Sequence, residues 1–188
     1  MQHHGAPTRL LDWTYSPYVA AYFAFEALLL DRSEQEALLR ATIWALDVDW
    51  LEDRIRRRLS ARDWKTYKTK KDGNSFKALF VDRKPRLRFI GTATPRMLNE
   101  RLSIQQGVFL CPGDVTTRWA ANLAALGSPR TRPRVKTFSM TRDTMETAFR
   151  ELASMNVTAR TLFPGIDGYA KSIAVRTRQL WKTPLLSQ

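Results

Sequence analysis

The first 24 residues constrain this chain more than any other stretch. Gln2-His3-His4-Gly5-Ala6-Pro7-Thr8-Arg9-Leu10-Leu11-Asp12-Trp13-Thr14 contains both histidines of the protein. It interleaves polar groups of opposite sign with side chains that belong in a core. Burying such a mixture is costly unless the polar groups pair with one another or with a ligand. Gly5 suits the left-handed position that ends a helix, and Pro7 cannot continue one. Only four residues precede that stop, too few for a stable helix, so the expectation is that the helix belongs to a portion upstream of Met1. Thr8 to Trp13 reads as an extended segment. Ser16 is a good N-cap and Pro17 suits the first helical position. Residues 17–30 are apolar nearly all round, which predicts a central, buried helix.

Downstream, residues 42–48 read as a strand from their β-branched and aromatic content. Asp49 is placed to cap a short helix with Leu51, Ile55 and Leu59 on one face and arginines on the other. Residues 60–95 carry few firm signals, beyond a turn at 72–74 and candidate strands near 78–82 and 86–90. A short helix near 95–101 leads to a strand at 108–111 that Pro112-Gly113 stops. Thr116 or Thr117 is expected to cap a helix with Trp119, Leu123 and Leu126 inward and Gly127 at its end. A loop (128–134), a strand (135–140) and a helix (142–155, capped by Thr141) follow. The last helix opens at Asp167 and runs to about residue 181. Helices and strands mix without a βαβ rhythm, so the predicted class is α+β, a mixed sheet with the buried helix 17–30 and flanking helices. At 188 residues one domain covering the whole chain is expected.

Charge is the dominant compositional fact. Lys and Arg number 31 against 18 Asp and Glu, a net +13, clustered at 54–58, 65–71, 83–88, 130–134 and 171–182. A field of that sign attracts polyanions, so nucleic acid is a candidate partner, beside the plainer and favoured reading of a solvated basic surface that binds it only non-specifically. Two histidines and one cysteine cannot build a zinc site of the usual Cys/His spacing, so no metal is expected. The lone cysteine excludes an internal disulfide and weakly suggests a reducing, cytoplasmic setting. The start of the chain lacks the apolar core of a secretory signal, and the apolar run from 18 to 30 is too short to span a bilayer, so no membrane partner is expected.

Candidate chemistry concentrates at three places. In the first run, His4 has the pKa range of a general base, against a capping role. Arg9 and Asp12 lie three apart, so in an extended chain they face opposite sides and need different partners, Asp167 being one for Arg9. They make either a buried ion-pair network or part of a binding site, with Trp13 and Thr14 beside them. In the second run, Ser103-Ile104-Gln105-Gln106-Gly107, the amides of Gln105 and Gln106 can face a cleft or simply occupy a turn. In the third, Asp167-Gly168-Tyr169, Asp167 is more naturally a helix cap than a ligand group. Ser16, Ser103 and Cys111 have no adjacent histidine, and no G-x-S-x-G elbow or phosphate-binding glycine loop occurs.

The run from Gln2 to Thr14, with Ser16-Pro17-x-x-Ala20-x-Tyr22-Phe23-Ala24 after it, resembles the signature of the FRG domain family. Arg101-Leu102-x-x-Gln105-x-Gly107-x-Phe109 and Leu162-Phe163-Pro164-Gly165-x-Asp167-Gly168 resemble its downstream pattern. The Phe-Arg-Gly motif that names the family belongs upstream of the Gln-His-His-Gly run. The resemblance therefore implies a bacterial or phage domain, here N-terminally incomplete. A weaker similarity is to ADP-ribosyltransferases. Asp12-Trp13-Thr14 stands where their Ser-Thr-Ser strand would, Val19-Ala20-Ala21-Tyr22-Phe23-Ala24 follows, and Gly107 falls at their catalytic glutamate. These likenesses imply an effector that handles a nucleotide or NAD, with His4, Arg9, Asp12 and Gln105 as catalytic candidates and Trp13, Thr14, Gln106 and Asp167 as ligand-binding ones. The alternatives are a non-catalytic basic module that binds nucleic acid or a protein, and an inactive fragment.

Overall fold

Ser16 starts the first helix as its chemistry requires. Its Oγ accepts the Val19 N–H at 3.3 Å, and Pro17 takes the first position of α1 (Pro17–Leu30), where its missing N–H costs nothing. The computed structural model describes residues 8–30, 40–69, 73–93, 100–127, 134–141 and 144–180. The described elements run β1 (Leu11–Thr14), α1, β2 (Arg40–Leu46), α2 (Val48–Arg58), α3 (Ala61–Lys68), α4 (Gly73–Phe76), a π-helix (Lys77–Asp82), β3 (Ile90–Ala93), α5 (Glu100–Ile104), β4 (Gly107–Pro112), α6 (Trp119–Ala124), β5 (Val135–Thr141), α7 (Met145–Ser154), α8 (Ala159–Leu162) and α9 (Ile166–Leu180). The class is α+β, but the expected mixed sheet is replaced by two small ones, ordered β1-β4-β3 and β2-β5. In the first, β3 and β4 run antiparallel with Gly91 opposite Cys111. In the second, Thr42 meets Ser139 and Asp47 meets Arg134. Five residues on along one strand are five back along the other, so this pair is antiparallel too.

Two compact units divide the chain. The first comprises residues 1–13, 45–98 and 107–136, the second 14–44, 99–106 and 137–188. In the first, Leu51, Ile55 and Leu59 recur every fourth residue and bury one stripe of α2 against Tyr67, Leu79, Phe80, Phe89, Ile90, Leu110 and Cys111. The cap of α2 is Asp47, not Asp49. Its carboxylate accepts the Trp50 N–H at 2.9 Å and also meets Arg134 at 2.7 Å. Within 60–95, where the sequence carries few signals, Ala61–Lys68 is helical, with Ser60 accepting the Asp63 N–H as its cap. The candidate strand at 78–82 is a π-helix that buries Leu79 and Phe80.

Neither Thr116 nor Thr117 caps α6. Thr116 donates to the Asp114 carboxylate at 2.6 Å, and Thr117 accepts from the Asn122 amide at 3.0 Å. Asn122, fully buried, also donates to the Asp114 carbonyl at 2.8 Å and accepts its N–H at 3.0 Å. One side chain thus closes the turn before α6. Gly127, at φ +85°, ends the helix in the left-handed conformation.

Two aspartates of this unit, Asp47 and Asp114, have depressed pKa values. Asp47 is held down first by the Trp50 N–H and then by Arg134, and Asp114 first by the Thr116 hydroxyl and N–H and then by Arg88 and Arg86. A depressed folded pKa means the unfolded chain binds more protons in the window below the ordinary aspartate value of about 3.9. Their stabilisation is complete above that value and is lost as pH falls through the lower folded one. Urea midpoints measured from about pH 5 to about pH 2 should therefore fall with acid. In Asp47→Asn, which keeps a capping oxygen, the fall should be shallower; equal slopes would refute the assignment.

The second unit has its own core of Val19, Tyr22 and Phe25 from α1 with Phe149, Leu152, Ala159, Leu162 and Phe163. The rings meet edge to face, Tyr22 on Phe149 at 89° and Phe23 on Phe163 at 84°, the arrangement the ring quadrupoles favour. Helix α1 is central to this core as predicted, although Tyr18 is half exposed. Helix α7 begins after Thr144, not Thr141, and the Thr144 hydroxyl donates back to the Thr141 carbonyl.

Candidate functional site

The three sequence patterns meet in the second unit, and the meeting point is Gln105. The Thr14 hydroxyl donates to the Gln105 carbonyl at 2.7 Å and accepts the Ser16 N–H at 3.0 Å. Tyr15 N–H donates to the Gln106 carbonyl at 3.0 Å. The Gln105 side-chain amide donates to the Leu162 carbonyl at 2.9 Å. The entry to α1, the 105–106 corner and the end of α8 are thus tied by hydrogen bonds. Gln106 makes that corner with φ 48° and an exposed side chain. Asp167 is exposed in the first turn of α9, a favourable place for a negative charge.

Residues given no role from the sequence complete this cluster. Arg101 and Lys171 place their charges 4.5 Å and 4.0 Å from the Phe163 ring centre. Lys171 also lies 3.6 Å from the Glu26 carboxylate, which is 7% exposed and accepts the Tyr22 hydroxyl at 3.2 Å. Burial first, and Glu26 second, raise the Tyr22 phenol well above its ordinary value. The break that Glu26 makes in an apolar run was the visible signal for a buried, paired carboxylate.

Arg9, Asp12 and Trp13 belong to the first unit. The terminal nitrogens of Arg9 donate to the main-chain carbonyls of Phe80 at 2.6 Å and Pro112 at 2.8 Å, where a carboxylate partner was expected. Asp12 is exposed on β1. Trp13 stacks on Trp119 with ring centres 6.4 Å apart, and neither indole N–H has a partner among the described residues. His4 lies outside the described residues. Cys111 is completely buried, and burial pushes its thiol up to about 11 despite Arg9 nearby. A thiol that high is no nucleophile near neutral pH. Ellman's reagent at about pH 8 should leave the native protein unlabelled and titrate one thiol after unfolding in urea; fast native labelling would contradict this burial.

Electrostatics separate the two units sharply. The first carries 21 Lys and Arg against 9 Asp and Glu, a net +12, and the second 10 against 9. In the first unit Arg56, Arg57, Arg58, Arg62, Lys65 and Lys84 are exposed. Arg58 donates to the Arg88 carbonyl at 3.3 Å, and Arg88 lies 3.8 Å from Asp114. Arg83 binds Asp63 at 3.2 Å and the Pro85 carbonyl at 2.6 Å. These bonds tie the 83–88 segment to the end of α2 and to α3.

Among the described residues, no three His, Cys, Asp or Glu side chains gather as a metal site, and no helix is long and apolar enough to cross a membrane. No curated protein matches the chain. No solved structure does either, so the ADP-ribosyltransferase likeness acquires no structural counterpart. The family model described as the FRG domain matches residues 1–33, the stretch that opens the resemblance read from the sequence.

Proposed function

We propose that this FRG-type chain is a binding module whose first unit docks on nucleic acid. The observation that carries the reading is the confinement of nearly all the excess charge, +12 of +13, to one compact unit. Concentrated charge of this kind repels itself and weakens the fold unless it serves a polyanion, whose condensed counterions are released on binding. The bonds from Arg58 to the Arg88 carbonyl and from Arg83 to Asp63 reduce the entropy lost when the 83–88 segment meets phosphates. The groups expected to do chemistry support this choice over catalysis. Gln105 Nε2 and the two terminal nitrogens of Arg9 donate to main-chain carbonyls, as positioning groups do, while Arg9 Nε has no partner among the described residues.

The test is fluorescence anisotropy of labelled single- and double-stranded oligonucleotides across a salt series. Four or five phosphate contacts give a log–log slope of about −4. Replacing Arg56, Arg62 and Lys84 together by alanine should flatten that slope by about 2 to 3 and weaken binding at every sequence alike. Absence of binding at low salt, or a slope indifferent to the triple replacement, would sink the reading.

A further inference from the structure

The second unit contains a cleft of about 300 Å³ that the proposed nucleic-acid surface does not use. Its walls come from α1, α7, α8 and α9. The buried rings of Tyr22 and Phe149 line it from α1 and α7. On α9, Tyr169 and Ile173 lie four apart and so share a face. They line the cleft while 58% and 49% exposed. Arg150 from α7 and Arg160 from α8 also line it, Arg150 donating to the Thr147 hydroxyl at 3.4 Å, and no acidic residue does among the described residues. Glu26, the buried carboxylate nearest in sequence to Tyr22, is turned to the Tyr22 hydroxyl and Lys171. Tyr22 therefore offers the cleft its ring, with its proton already committed.

An apolar floor, half-exposed hydrophobic side chains and a pair of arginines with no acidic residue among the described lining match one chemical class of occupant. From this geometry we infer that the cleft binds a small amphipathic anion, a flat apolar body carrying a single acidic head. The body covers Tyr169 and Ile173 and removes their apolar surface from water. The head meets Arg150 and Arg160, whose planar forks suit a sulfonate, carboxylate or phosphate. The volume is at the lower end of ligand pockets, which limits the occupant to one or two fused or linked rings or a short chain.

The probe is 8-anilinonaphthalene-1-sulfonate, with N-phenyl-1-naphthylamine as its uncharged counterpart, titrated by fluorescence against the whole chain. The sulfonate should saturate at one site per chain. Arg150→Ala with Arg160→Ala should weaken it about tenfold and leave the neutral probe unchanged. Ile173→Trp, which fills the cleft from an exposed position, should abolish both. Far-ultraviolet circular dichroism establishes that each variant is folded. Sulfonate binding that survives the arginine pair or Ile173→Trp in folded protein would overturn the assignment, as would equal losses of both probes in the arginine variant. Arg56→Ala, Arg62→Ala and Lys84→Ala together should leave the sulfonate titration unchanged, so failure here is distinguishable from failure of the nucleic-acid reading.

Discussion

Arg9→Ala is expected to lower stability by about 3 kcal/mol, seen as a fall of roughly 6–12 °C in the melting temperature of a chain this size. Arg9 joins two segments distant in sequence, the π-helix through the Phe80 carbonyl and the end of β4 through the Pro112 carbonyl. Each is a charge-assisted hydrogen bond to a part-buried acceptor, and alanine would remove both bonds and leave a gap beside Cys111. Arg9→Lys keeps the charge but has one nitrogen where two diverging donors are needed, so it should recover less than half of the loss. Circular dichroism melts of the three proteins decide it. A melt of Arg9→Ala within about 1 °C of the parent, less than the effect of 1 kcal/mol at this size, would remove the structural role and return Arg9 to the ligand-binding candidates. Until then, lost activity in an Arg9 variant reports folding before it reports chemistry.

What could be read from the sequence follows a physical line between local and distant partners. Ser16 and Pro17 act within one turn of themselves, and the start of α1 was legible. The stripe of Leu51, Ile55 and Leu59 is a period along one helix, and it too was legible. The run Ala78-Leu79-Phe80-Val81 has the composition of a strand, and nothing local to it announces the wider turn it adopts. Arg9 finds acceptors 71 and 103 residues away and Gln105 finds one 57 away. No spacing rule reaches across such separations, so a polar group that fastens the fold looks the same in sequence as one that awaits a ligand. The net charge was legible, but its confinement to one unit was not, because that unit is assembled from three separate segments.

Gly168→Ala sets two rules against each other, and the sign of the result separates them. By helix propensity alone, alanine within α9 should stabilise by about 1 kcal/mol. A Cβ at this position would, however, run into the Phe163 carbonyl oxygen and come within 3.0 Å of the Ala159 carbonyl oxygen and the Phe163 carbonyl carbon. All are main chain, so relief requires the first turn of α9 to move off α8 and no rotamer change suffices. The expected outcome is a net loss of roughly 3 kcal/mol or more, measured by urea unfolding. Gly165→Ala is the informative control. Its φ of +82° imposes strain, but nothing lies within 4 Å of its added carbon, so its cost should stay at about 1–2 kcal/mol. The close approach at Gly168 also holds Phe163 where Arg101 and Lys171 reach its ring, and it sets Tyr169 and Ile173 on the cleft wall. Gly168→Ala should therefore weaken 8-anilinonaphthalene-1-sulfonate binding even under conditions where the variant remains folded, whereas Gly165→Ala should leave it within about twofold. Stabilisation by Gly168→Ala, with the cleft still binding its probe, would mean that the third motif carries its glycine for a reason other than the packing of α9 on α8.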